Sequence, residues 1–183
     1  NEIEKNKSQE KLVSDLEALK KKLENSLELK QTKTRKMFSK FFSTNSSEEK
    51  TGVYIYGGVG IGKSMLMDLF FNLLDIKEKK RIHFHEFMKQ LHQLIKIARE
   101  NNIRDPIKSV ASEYIKDIEV LCLDEMQITD VADAMIVGRV FEEFLGKKLN
   151  IVTTSNRHPN DLYKDGLNRK LFLPFIDMIV SSL

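Results

Sequence analysis

Gly57-Gly58-Val59-Gly60-Ile61-Gly62-Lys63-Ser64 is the stretch on which the fold turns. It fits the pattern G-x-x-x-x-G-K-[ST]. Glycines at this spacing let the backbone turn several amide N–H groups inward, where they can cradle phosphate oxygens. A helix starting at the lysine would aim its positive end at the same point. Lys63 would then reach the β- and γ-phosphates, and the Ser64 hydroxyl would ligate magnesium. The flanks supply the required context. Val53-Tyr54-Ile55-Tyr56 reads as a short buried strand, and the residues from Lys63 to Leu74 carry a helical pattern. A chance glycine-rich turn would lack both.

Further along, Val120-Leu121-Cys122-Leu123-Asp124-Glu125 joins an apolar strand to two carboxylates. In an open parallel sheet, ligands bind at the C-terminal ends of the strands. Asp124 is therefore expected to hold magnesium through its water shell, and Glu125 to polarise the attacking water. An acidic pair after a strand is ordinarily a loop entry or a helix cap; its company with the phosphate loop is what favours chemistry. Ile151-Val152-Thr153-Thr154-Ser155-Asn156 reads as another strand, whose terminal Asn156 could orient the water together with Glu125. A turn-forming asparagine is the plain alternative.

The remaining pattern alternates strands with helices. Strands are expected at Arg81–His85, Glu119–Leu123 and Leu149–Thr154. Helices are expected at Glu86–Glu100, from Asp105-Pro106 to about Lys116, and over Asp130–Leu145 with Gly146 closing the last. A short helix should open at His158-Pro159. Such alternation implies a three-layer α/β domain with a parallel sheet. N-terminal to it, Leu12, Leu16, Leu19, Leu23 and Leu27 form one apolar stripe on a helix, expected to dock on the chain's own core rather than on a partner. The basic stretch 30–40 contains Phe38, with Phe41 and Phe42 just after, and reads as a solvated connector. Residues 43–50 read as a polar loop. The division is thus 1–50, a helix and basic linker, and 51–183, a nucleotide-binding core.

Composition sets the outer bounds. The chain has 183 residues, 41% hydrophobic and 31% charged, with a formal net charge of +3. That charge is too small to argue for a nucleic-acid partner. A single cysteine, Cys122, rules out an intrachain disulfide. His83, His85 and His92 lack a completing set of cysteines or carboxylates, so a structural or nucleotide-adjacent role is favoured over a metal cluster. His83 and His85 are expected on one face of a strand.

Taken together these segments resemble the AFG-one-like ATPases, a branch of the AAA+ superfamily with bacterial and mitochondrial members. The residues that carry the resemblance are Tyr54–Gly60, Met65–Phe71, Arg81–Met88, Leu123–Met135, Thr154–Asn156, Asp161–Arg169 and Phe172–Pro174. The loop alone is generic; the His83-Phe84-His85 and Gly166–Pro174 segments are more specific. The resemblance implies an AAA+ sheet of order 5-1-4-3-2 and a nucleotide site over Gly57–Met65. It implies ATP hydrolysis, coupled to work on a protein client within a homo-oligomer. It makes Asn156 the first sensor and Arg169 an arginine finger for a neighbouring subunit. It also implies a mitochondrial setting if the source is eukaryotic, with membrane association open to the full-length protein, or a cytoplasmic one if bacterial. The family continues into a fifth strand and then a helical lid; the lid is expected to be missing here, so that this segment alone would be largely monomeric. The alternatives are a nucleotide-dependent binding switch and a small-molecule kinase; the acidic pair beside Asn156 suits water rather than a substrate hydroxyl as nucleophile.

Overall fold

The computed structural model describes residues 7–31 and 51–183. Four strands form one parallel sheet: β1 (Gly52–Tyr56), β2 (Lys79–His83), β3 (Val120–Asp124) and β4 (Asn150–Ser155). Their order is β1-β4-β3-β2, so β4 enters between the first and third strands. This matches the 1-4-3-2 portion of the expected order. The helices are α1 (Lys7–Gln31), α2 (Lys63–Leu73), α3 (Phe84–Glu100), α4 (Pro106–Tyr114), α5 (Val131–Gly146) and α6 (Leu173–Ser182). Two 3-10 turns, Pro159–Asp161 and Arg169–Leu171, lie between β4 and α6.

Period-2 alternation sorts the buried strands between two cores. Leu121, Leu123 and Ile151 face a large cluster built with α3, α4, α5 and α6. Val120, Cys122, Val152 and Ile55 face a smaller one with Met67 and Phe70 of α2. Leu16, Leu19 and Leu23 of α1 complete the smaller cluster, so these three leucines of the stripe pack on this chain's own sheet layer. From residue 32 onward the basic stretch, its phenylalanines and the polar loop lie outside the described residues.

Several expected boundaries move. The second strand covers 79–83 rather than 81–85. Its five residues pair in register with Val120–Asp124, and the ladder ends where β3 ends, at His83 opposite Asp124. Phe84 is buried and begins α3. His83 therefore ends a strand while His85 lies on a helix, and the two do not share a strand face. Gly146 does not close α5 from outside; it is the last helical residue, and the left-handed position falls on Lys148, φ 58°. There the Leu149 N–H reaches back to the Phe144 carbonyl at 3.0 Å. The helix after His158 is a single 3-10 turn. A further helix, Leu173–Ser182, lies beyond the expected elements; Pro174 sits in its first turn.

Tertiary contacts also cap what the local sequence leaves open. α2 has no basic residue in its last turn. Lys79 of β2 supplies the charge instead, donating 2.6 Å hydrogen bonds to the carbonyls of Phe71 and Leu74. At α4, the Asp105 carboxylate caps the Lys108 N–H and accepts both bonds of Arg139, which together hold its pKa below the usual carboxylate range.

Candidate functional site

The loop between β1 and α2 sits at the C-terminal end of the sheet. Gly60 and Gly62 both adopt φ 81°, a region that side chains with a Cβ rarely enter. Gly62 hands the chain into α2, whose first residue is Lys63. The Lys63 side chain is buried, and its ammonium donates to the Gly57 carbonyl at 2.9 Å and the Gly58 carbonyl at 2.6 Å. The lysine thus curls over the loop that the glycines open. Val59, Gly60, Gly62, Lys63, Ser64 and Met65 line one wall of a cleft of about 330 Å³; Glu125, Thr154, Ser155 and Asn156 line the other.

Asp124 ends β3, with its side chain 1% exposed. The Ser64 hydroxyl donates to its Oδ1 at 3.0 Å, so two distant segments converge on one point. Both contacting atoms are oxygens, which suits a hard cation such as magnesium. The Thr154 hydroxyl also donates to Oδ1, at 2.5 Å, and itself accepts the Glu125 N–H at 2.8 Å. Arg81 closes the ring with Nη2 2.8 Å from Oδ2.

Glu125 has φ 58°, a left-handed conformation uncommon for a residue with a side chain. Bonds on either side hold it there: its own N–H to Thr154 Oγ1, and the Met126 N–H to the Thr154 carbonyl at 2.7 Å. The turn throws the carboxylate outward, 71% exposed, at the mouth of the cleft. His83 Nδ1 lies 3.9 Å from Glu125 Oε2 and 4.0 Å from Asp124 Oδ2. Asn156 follows β4 and is exposed in the same opening. The Ser155 hydroxyl, donating to the Met126 carbonyl at 2.8 Å, ties that strand end to the acidic turn.

A second, more polar recess adjoins the cleft and shares Glu125, Ser155 and Asn156 with it; His83, His85 and Asp133 contribute to its wall. His92 Nε2 contacts Asp133 Oδ1 at 2.6 Å. The Tyr54 hydroxyl donates to the Arg157 carbonyl at 3.0 Å. Burial pushes this phenol up to about 12, so it remains a donor and anchors the chain beyond β4. Burial likewise pushes Cys122 up to about 12, which makes it a packed and unreactive thiol.

The fold therefore brings Val59, Gly60, Gly62–Met65, Glu125 and Asn156 together around one cleft, with the buried Asp124 bonded to Ser64 of its wall. Arg169 is not among the residues lining it. Its Nη2 donates to the Asn160 carbonyl at 2.5 Å, while its buried Nε has no acceptor among the described residues. Thr154 and Arg81 were not singled out as site residues in the sequence, although both lie in the segments that carry the resemblance. Nothing local distinguishes a strand threonine or arginine that reaches across to the next strand.

A family model described as AFG1-like ATPase matches residues 1–183. The zebrafish (Danio rerio) protein named lactation elevated protein 1 homolog B is 42% identical over 137 residues, covering 70% of this chain and 27% of that protein. The cell division protein ZapE of Escherichia coli K12 is 40% identical over 128 residues, covering 70% of this chain and 34% of ZapE. The chain thus spans about a third or less of the length of these relatives. Among solved structures, domain III of the Thermotoga maritima replication initiation protein DnaA superposes with a TM-score of 0.56 at 19% identity. It covers 80% of this chain and 56% of that one, a likeness of fold.

Proposed function

The chain belongs to the AFG1-like ATPase family, and from that premise we propose that it binds ATP with magnesium along Gly57–Met65 and hydrolyses it. The observation that carries this reading is the 3.0 Å bond between Ser64 and Asp124, with Glu125 displayed beside it at the mouth of the same cleft. Ser64 and Asp124 would hold magnesium, whose charge would neutralise the β- and γ-phosphate oxygens. The loop amides would cradle the phosphates, and Lys63 would exchange its two loop carbonyls for phosphate oxygens. Glu125 would accept a proton from the attacking water, and Asn156 would hold that water in line.

Arg169 is proposed as the finger that a neighbouring copy presents to the γ-phosphate. For that it must leave the Asn160 carbonyl. Its present lodging is poor for a guanidinium, since Nε is buried without an acceptor among the described residues. Assembly of the full-length protein into a homo-oligomer follows from this role, and the work done by turnover is proposed to fall on a protein client.

The deciding experiment supplies the full-length protein with ATP and magnesium and no other acceptor. Equal release of ADP and free phosphate is expected. ADP formed only when a small hydroxyl compound is added would replace the hydrolase reading by a kinase. Tight nucleotide binding without any turnover, at every protein concentration, would leave a nucleotide-dependent switch.

A further inference from the structure

Beside Ser64 and Asp124 stands a cation that belongs to the chain itself. Arg81 lies opposite Cys122 in the sheet register, and Asp124, two residues beyond Cys122, projects to the same face. On that face Arg81 Nη2 lies 2.8 Å from Asp124 Oδ2. Its Nε lies 2.8 Å from Asp68 Oδ1. The second contact is ionic but too bent for a hydrogen bond, so among the described residues the buried Nε lacks a directed acceptor. Asp68 follows Ser64 by four residues on α2, which puts hydroxyl and carboxylate on one helix face.

We propose that Arg81 is a resident counter-cation for Asp124, against which a divalent metal must compete, and that it sets the magnesium level at which nucleotide binds. This rests on the reading of Asp124 as the metal-side carboxylate. Asp124 is almost fully buried, and a buried carboxylate without a counter-charge is costly. Its Oδ1 already accepts from Ser64 and Thr154, and Arg81 takes Oδ2. A dication arriving at Ser64 meets a carboxylate that is already neutralised, and a guanidinium that repels it. Asp68 draws part of the guanidinium charge away and tempers both effects. Arg81 acts through Asp124 and through its charge, without ligating the metal, and is a positioning residue.

The test reads metal binding rather than turnover. Magnesium is titrated into the full-length protein with a fixed amount of a fluorescent ADP analogue. Manganese is titrated separately without nucleotide and followed by paramagnetic resonance. Arg81→Gln removes the competing charge and should lower the half-saturating metal concentration in both titrations, by about tenfold once screening is allowed for. Arg81→Lys keeps a charge and should stay within about twofold of wild type. Asp68→Asn leaves the whole charge of Arg81 on Asp124 and should raise the requirement. A requirement unchanged or raised in Arg81→Gln would overturn the proposal, as would equal behaviour of the lysine and glutamine variants. If Arg81→Gln melts early, the other two decide: a requirement not raised by Asp68→Asn, or shifted strongly by Arg81→Lys, is equally fatal. Wild-type protein that binds no nucleotide would sink the ATPase reading itself. Nucleotide binding with an unmoved metal requirement in Arg81→Gln would sink only the role of Arg81.

Discussion

Glu125 and Lys63 are the two side chains whose chemistry can be separated by single substitutions. Glu125 is held by its backbone, through Thr154, while its carboxylate stays exposed in the cleft mouth, 3.9 Å from His83 Nδ1. Glu125→Gln keeps the shape and the backbone tether but cannot take a proton. It should bind ATP as wild type does and lose hydrolysis in the full-length protein, by two to four orders of magnitude for a general base. Turnover at the wild-type rate would remove Glu125 from the mechanism; loss of nucleotide binding would give it a metal or folding role. Lys63→Ala acts on binding instead. Without the ammonium, the β- and γ-phosphates lose a direct cationic contact that the loop amides do not replace. Calorimetry with ATP and magnesium should show no tight binding, and an unchanged affinity would mean that Lys63 never leaves the loop carbonyls.

Elements contribute through packing, and α1 gives a direct test. Leu19 is 5% exposed and sits in the cluster with Ile55, Met67 and Phe70. Leu19→Ala should cost about 2–4 kcal/mol if α1 is an integral layer of the fold. Denaturant unfolding reads it directly; a change under about 0.5 kcal/mol would mean that α1 does not contribute to the cooperative unit. A second test joins α4 to α5. Ser112 Oγ donates to Glu143 Oε1 at 2.6 Å, and this bond is the main reason the Glu143 carboxyl lies below its ordinary range. A carboxyl depressed by folding adds stability above its unfolded pKa and loses it as pH falls through the folded value. Ser112→Ala should therefore cost about 1 kcal/mol at neutral pH, discounted for partial exposure. The difference should shrink to nothing in acid; a pH-independent cost would assign it to packing.

For the whole molecule the question is whether one copy suffices. Arg169 rests on its own Asn160 carbonyl, outside the residues that line the cleft. If it serves a neighbour, specific ATPase activity of the full-length protein should rise with protein concentration, in step with mass by light scattering. Removing a finger of this kind lowers phosphoryl transfer by about 10³–10⁵-fold, so dilute protein should be nearly silent. High turnover independent of concentration, from a monomer, would exclude a trans-acting Arg169.

What is local could be read from the residues alone. The spacing of glycines before Lys63-Ser64, the apolar run ending in Asp124-Glu125 and the strand ending at Asn156 each announce a backbone geometry within a few residues. Alternating strand and helix patterns were enough for a parallel three-layer sheet. Periodicity also carried the α1 leucines, because one helical face must be buried somewhere. It failed at His83-Phe84-His85, where alternation over three residues suits a strand but the ladder partner runs out at Asp124. Only the tertiary structure put Arg81 and Thr154 against Asp124. Both contacts depend on which strands are neighbours and in what register, 43 and 30 residues apart in the chain. It alone gave Lys79 the task of capping α2, and lodged Arg169 on Asn160. Such pairings come from long-range closure of the sheet and its layers, which no short window of residue types encodes.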